Sequence, residues 1–571
     1  MVAHYNVRAL EIHDRVWDQE HIKEVLNFMS RNNLNVLVLH ANNIIDEVVW
    51  PARYYGVKTP GNLYENYRII FKELYRYSAR RRYMPLQRRD FLRWVISKAK
   101  GRGIKVYLEN KELWFPDIVE TIHPELRKKG YLCCSEMFWW EFLRTKYEEL
   151  FADLSGLDGI ITSPGSRESK LSISSNRCTC KRCQNLNASE WYYNLIMSIY
   201  EPTKNAGKEL VVRDFVFDPQ SHASLAEAME RLPEDIIFSL KNTPHDFYPT
   251  FPNNPQLGRI KRQKIWIEYD VMGQYFGWGI APSIMVRDIA RRLAYGREKG
   301  ASGILIRTDW EGLPGHSCFD TANIINLYAA AMFSENISTR IKDVYYRWLI
   351  DQGFLEEKLS AEQEEICMDW IMGIFESTWD IVRKTLFIND CVFSDSSTFP
   401  VSIEHAFWLA EEKNSLRDWD ITKAEALNPT KENVQKILDE KDEAWKQYEK
   451  IKEQLFLANR GLVNNIYEKL KREFEIYGLY IRGFQLMGKI AILTRYLSHP
   501  GNKDELFYNH AHTMLVENLH QLKLYINQLI DFNNRETVSY PVFALLNPER
   551  AIVFFEDVSS RIKNEYLIKA H

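Results

Sequence analysis

The sequence predicts an α/β protein, a (β/α)8 TIM barrel over residues 1–330 followed by a mostly α-helical C-terminal domain over residues 331–571. Two observations predict this. Eight compact apolar runs recur through the first 330 residues, with amphipathic segments between most of them. Beyond that point strand-like runs and glycines become scarce, and long helical periodicity takes over.

In chain order, the predicted strands begin with VRALEI (Val7 to Ile12), NVLVLH (Asn35 to His40), IKVYLE (Ile104 to Glu109) and GIITS (Gly159 to Ser163). They continue with ELVVRD, IIFSLK, KIWIEY and GILIRT, the last ending at Thr308. Each is a continuous apolar run rather than a clean alternation, as parallel strands covered on both faces require. DQEHIKEVLNFMSRN and APSIMVRDIARRLAYGREKG are examples of the helical patterns between them. In the second half, the long segment that starts at KENVQKILDEKDEAWK reads as helix, and its charge run LDEKDEAWK reads as a solvated face.

Composition narrows the function classes. A chain of 571 residues exceeds one ordinary core, so two or three domains are expected. A formal charge of -3, with both signs well mixed, argues against a nucleic-acid partner. No apolar run reaches the roughly 18 residues of a membrane span, and the N-terminus lacks the pattern of a secretion leader. Eight cysteines in so long a chain do not form a disulfide framework by density. The expected compartment is the cytoplasm, although a leader already removed would leave the same sequence.

In a barrel of this class, the loops after the strands converge on one face and carry the chemistry. Strand one ends at His13 and Asp14, strand two at His40, and strand three at Glu109, Lys111 and Glu112. Strand four is followed by Arg167 and Glu168, strand five by Arg213 and Asp214, and strand six by Lys241, His245 and Asp246. Strand seven brings Glu268 and Asp270, and strand eight Asp309 and Glu311. Trp114, Tyr248, Phe251, Trp278 and Trp310 are interleaved with them. Paired acids with flat aromatic walls suit glycoside hydrolysis, in which one carboxylic acid protonates the leaving oxygen and a carboxylate activates water or attacks the sugar. Glu109 and Asp309 are candidates for binding sugar hydroxyls, and Trp114 and Trp278 for stacking on sugar rings. For both tryptophans, buried packing is an equal alternative.

Three segments carry a resemblance. KNTPHDF (Lys241 to Phe247), IEYDVMGQY and VVRDFVFD resemble, in order and spacing, segments of the family 67 glycoside hydrolases, the α-glucuronidases. The likeness covers strands four to eight and includes a long helical C-terminal domain. It describes a shortened relative without the N-terminal β-domain of that family. The resemblance implies an inverting, exo-acting enzyme that removes a terminal uronic acid or related sugar from an oligosaccharide. It implies Glu168 as general acid, after a one-residue shift, and Asp246 and Asp270 as the acids of the base function. The family has a glutamate at the last position, so Glu268 is the alternative there. Arg213 and Lys241 match basic residues that bind the substrate carboxylate; a third, a lysine, falls on Ser163, with Arg167 close by. His245 occupies a position without a prescribed role. By the same analogy, the helical domain could mediate a homodimer.

No cofactor is expected. A structural zinc could nevertheless bind at Cys178, Cys180 and Cys183, with a fourth ligand from elsewhere, such as Cys133, Cys134 or a histidine. Two other functions remain open: a barrel exo-hexosaminidase using substrate assistance, and a non-catalytic carbohydrate-binding or scaffold protein on a hydrolase fold. The former favours two adjacent acids after strand four, where SRES offers one.

Overall fold

The computed structural model describes residues 4–49, 79–117, 119–120, 123–166, 168–215, 219–502, 504–535 and 538–569. Eight parallel strands close into a barrel: β1 (Val7–Ile12), β2 (Val36–His40), β3 (Lys105–Asn110), β4 (Gly159–Thr162), β5 (Glu209–Arg213), β6 (Ile237–Lys241), β7 (Lys264–Asp270) and β8 (Ala301–Arg307). Neighbours in sequence are neighbours in the sheet, and β1 closes on β8 with Leu10 opposite Ile306.

The surrounding helices are α1 (Gln19–Arg31), α2 (Ala79–Lys100), α3 (Phe138–Asp153), α4 (Ala188–Asn205), α5 (Pro219–Arg231), α6 (Val286–Glu298) and α7 (Ile324–Glu335). α1 shows how the sequence specifies them. Asp18 caps its start by accepting hydrogen bonds from the amides of Glu20 and His21, and Ile22, Val25, Leu26 and Met29 form the buried stripe. The expected eight strand–helix units need one correction. Residues 242–263, between β6 and β7, contain no helix. Pro244, Pro249, Pro252 and Pro255 explain this, because each lacks an N–H and restricts the residue before it.

Inside the barrel, Ala9, Val38, Tyr107, Ile161, Val211, Ile237, Trp266 and Leu305 form an apolar plug separate from the main core. Tyr107 and Trp266 lie with ring centroids 6.0 Å apart. Two glycines make room for them. A Cβ at Gly159 would come within 2.7 Å of the Tyr107 ring, and one at Gly303 would collide with the Trp266 indole.

The second half contains α8 (Ile341–Asp351), α9 (Ala361–Thr385), α10 (Ile403–Glu411), α11 (Lys431–Leu457), α12 (Asn464–Ser498), α13 (Glu505–Arg535) and α14 (Pro548–Lys569). A capping box of Ser360 and Gln363 opens α9. At its other end, LDEKDEAWK is a solvated face at Asp439, Asp442, Glu443 and Lys446, with one exception. Lys441, on α11, is buried, and its ammonium donates to the carbonyls of Lys384, Thr385 and Phe387. A cation at a helix C-terminus compensates carbonyls that the helix leaves unpaired.

The helical half rests on the loops after β6 and β7. The amide of Gly277 donates to Ser397 Oγ at 2.8 Å, Ser397 Oγ donates to the Gln274 carbonyl, and Tyr480 holds the Ser397 carbonyl. The amide of Ile284 donates to Thr378 Oγ1. Among the described residues, no helix is long and apolar enough to cross a membrane. All eight cysteines are free thiols.

Gly303→Ala should lower stability by about 1–3 kcal/mol, as overpacking does in a filled core. Urea unfolding measures it, and an unchanged midpoint would show that Trp266 has room to move.

Candidate active site

Strand alternation arranges the barrel interior in layers, because residues two apart face the same way. Two positions above the apolar plug, the strands present Glu11, His40, Glu109, Ser163, Arg213, Ser239, Glu268 and Arg307, none more than 4% exposed. Two positions higher come His13, Lys111, Phe215, Lys241, Asp270 and Asp309. The barrel is therefore apolar below, ionic in the middle and mixed at the mouth.

Arg213 is the hub of the ionic layer. It donates to Glu109 at 2.8 Å, Glu11 at 3.2 Å and Glu268 at 2.8 Å. Ser239 donates to the other oxygen of Glu268, and Ser163 to Glu109. Glu11 also pairs with His13 and lies 3.0 Å from His40 Nδ1. Burial favours neutral Glu11, but Arg213 and His13 outweigh it and hold the carboxyl well below its ordinary value. Burial pushes His40 down to about 4, so its imidazole is neutral near pH 7. His13 moves the other way. Burial and Arg307 lower it, yet the bonds to Glu11 and Glu311 prevail and raise it.

At the mouth, two lysine–carboxylate pairs lie against one aromatic ring. Lys111 pairs with Glu168, and Lys241 with Asp246 Oδ1 at 2.5 Å. Their ammonium groups sit 5.0 and 4.2 Å from the centre of the Phe215 ring. Lys111 also reaches Glu311 at 3.1 Å, which in turn meets His13 and Arg307. Burial raises Asp246, but Lys241 and His245 more than offset this and keep it well below the usual carboxylate range. Asp246 itself has a left-handed backbone, with φ at 45°. Glu311 is likewise depressed against burial by His13, Lys111 and Arg307.

The expected site residues fall into two groups. Glu168, Lys241, Asp246 and His245 gather at the mouth, where His245 Nδ1 donates to the Asn414 carbonyl and Nε2 lies 3.4 Å from Asp246. Glu168, the implied general acid, has a side chain that is 39% exposed and ion-paired with Lys111. The second group is committed below or beside the mouth. Arg213, expected to grip a substrate carboxylate, is occupied by three carboxylates, and Glu109 and Glu268 are occupied by Arg213.

Asp270, expected as a second base, accepts from the amides of Met272, Gly273 and Gln274 and so holds the turn after β7. Burial raises its carboxyl all the same. Asp309 accepts from the amides of His13 and Asp14. Trp278 is buried, donating to the Gln274 carbonyl beside Trp310, which settles it as packing; Trp114 is half-buried. Arg167 lies outside the described residues. Lys111, Phe215, Arg307 and Glu311 had been assigned no role. The signal for them was the period of two, counted upward from the apolar residue of each strand.

No protein-family model matches the sequence, and no curated protein matches it either. Among solved structures, the chain is similar to a GH138 enzyme targeting pectin rhamnogalacturonan II. The TM-score is 0.60 at 12% identity, covering 92% of this chain and 62% of that one. The chain thus spans less than two thirds of that enzyme's length. A Thermobaculum terrenum O-GlcNAc hydrolase mutant aligns with a TM-score of 0.41 at 11% identity, over 98% of this chain and 96% of that one. At such identities the first likeness establishes the fold, a barrel with a helical C-terminal region.

Arg213→Leu should cost about 3–5 kcal/mol in denaturant unfolding, because it strands buried carboxylates; a loss below about 1 kcal/mol would contradict the hub. A second test concerns pH. The folded value of Asp246 lies below its unfolded value of about 3.9. The stabilisation by Lys241 is therefore present above that pH and fades as pH falls below it. The stability gap between the parent and Asp246→Asn should be constant above about pH 5 and narrow below about pH 4. A gap that ignores pH would remove the pair from the account.

Proposed function

We propose that this chain is a glycoside hydrolase that removes a terminal uronic acid, or a related acidic sugar, from an oligosaccharide with inversion, in the manner of an α-glucuronidase. The observation that carries the proposal is the pair of lysine–carboxylate couples against Phe215 at the C-terminal mouth of the barrel. The fold shared with a pectin-targeting GH138 enzyme supports the reaction class.

Each residue has a physical reason for its role. Asp246 stays ionised, so it can accept a proton from water. Glu168 is the partly exposed acid on the other side of β5, able to reach a leaving oxygen. An inverting pair needs carboxyl groups about 6.5–9.5 Å apart to admit a water, and acids carried past the ends of β4 and β6, with β5 between them, leave room for one. Lys111 and Lys241 at the mouth, with Arg307 in the layer beneath, make the site rich in cations, which suits a sugar carboxylate.

The lysines also link binding to chemistry. A substrate carboxylate competes with Glu168 for Lys111. Glu168 then enters the reaction as the acid, while Asp246 keeps His245 and Lys241 nearby and remains the base.

Uronic-acid-capped oligosaccharides and aryl uronides provide the assay, with the anomer released followed by NMR. Asp246→Asn and Glu168→Gln should each lower kcat by on the order of 10²–10⁴-fold, and Lys111→Met should chiefly raise KM. Turnover of neutral glycosides alone would refute the acidic substrate. Near-normal kcat in either acid variant would remove that residue from its role.

A further inference from the structure

We propose that Cys133, Cys178, Cys180 and Cys183 bind one structural zinc ion, which fastens the β3–α3 connection to the β4–α4 connection at the rim of the barrel. The four sulfurs all lie within 4.8 Å of one another. Cys133 Sγ is 3.5 Å from Cys183 Sγ and 3.6 Å from Cys180 Sγ. A zinc–sulfur bond of about 2.3 Å gives a tetrahedron with edges of about 3.8 Å. A disulfide needs about 2.05 Å. The spacing is thus that of ligands around a shared ion, and all four cysteines are free thiols.

The surroundings are built for thiolates. The Cys183 amide points at Cys180 Sγ at 3.4 Å, and Ser135 Oγ lies 3.1 Å from Cys133 Sγ and 3.3 Å from Cys183 Sγ. Four thiolates around a divalent ion leave a double negative charge. The ligand segment itself carries Arg177 and Lys181 to offset it, while Arg182 pairs with Glu136. Two buried indoles fix the neighbouring backbone: Trp139 donates to the Cys133 carbonyl at 2.9 Å and Trp191 to the Cys134 carbonyl at 3.0 Å. Cys133 is the fourth ligand because its sulfur is the one that shares the cluster; Cys134, the next residue in the turn, contacts Cys183 without joining the four.

Four protein sulfurs fill a tetrahedral zinc and leave no open position, so the role is structural rather than catalytic. The two connections it joins are also joined near the mouth. There Leu113 and Leu171 exchange backbone hydrogen bonds, and Ser169 Oγ donates to the Glu112 carbonyl. Lys111 and Glu168 stand on these same connections. The ion is the outer fastener of the platform that holds this pair, whatever reaction the pair performs.

The test uses the full chain purified without chelators. Elemental analysis should find one zinc per chain, and cobalt(II) substitution should give the visible bands of a tetrahedral thiolate site. Cys133→Ser and Cys180→Ser should lose the metal and melt at lower temperature, whereas Cys134→Ser should retain it. A parent protein with no zinc, and no cobalt bands after reconstitution under reducing conditions, would overturn the site without reference to any variant. Metal retained in Cys133→Ser but lost in Cys134→Ser would overturn the ligand assignment.

Discussion

Arg213 places a permanent positive charge inside a barrel from which water is excluded, and carboxylates from β1, β3 and β7 converge on it. An unpaired guanidinium there would cost several kcal/mol, a large part of the stability of an ordinary domain, so the four groups are mutually obligatory. The arrangement has consequences above and below. Below it, the interior can be wholly apolar because no charge remains to be matched. Above it, Asp270 and Asp309 hold backbone amides, while Lys111, Glu168, Lys241 and Asp246 pair among themselves.

That pairing explains the character of the mouth. Lys111 is paired with Glu168 and Glu311, both partly exposed, and Lys241 with the buried Asp246. An incoming anion can replace Glu168 on Lys111 without leaving a buried charge uncompensated. The pairs below, locked around Arg213, are not exchangeable. The same residue types therefore act as framework at one height and as candidate chemistry a few ångströms higher.

The helical half contributes to this selection. It covers the prolines and glycines of the β6 and β7 loops, where regular structure supplies few backbone hydrogen bonds. Ser397 and Thr378 supply them instead, and the Asn414 carbonyl accepts from the His245 side chain. The bond from His245 to Asn414 orients an imidazole toward Asp246. A loop without a helix of its own is thus held in shape by a domain more than 100 residues away in sequence.

The sequence by itself determined the barrel, the helical second half and the strand-end positions where Glu168, Lys241 and Asp246 stand, because continuous apolar runs and helical periodicity are local patterns. It also marked the Cys178–Cys183 segment as a candidate ligand set. The missing helix after β6 was legible in its four prolines. Only the tertiary structure decided which charged residues are spent. Arg213, Glu268 and Asp270 look as available as Asp246 in the sequence, yet each is consumed by partners from distant strands or by its own turn. Lys441 looked solvated and lies under a helix end. The reason is common to all of them: a charged side chain's role depends on which opposite charges and backbone groups reach it through space. Strand order and layer height fix that, and residue type does not.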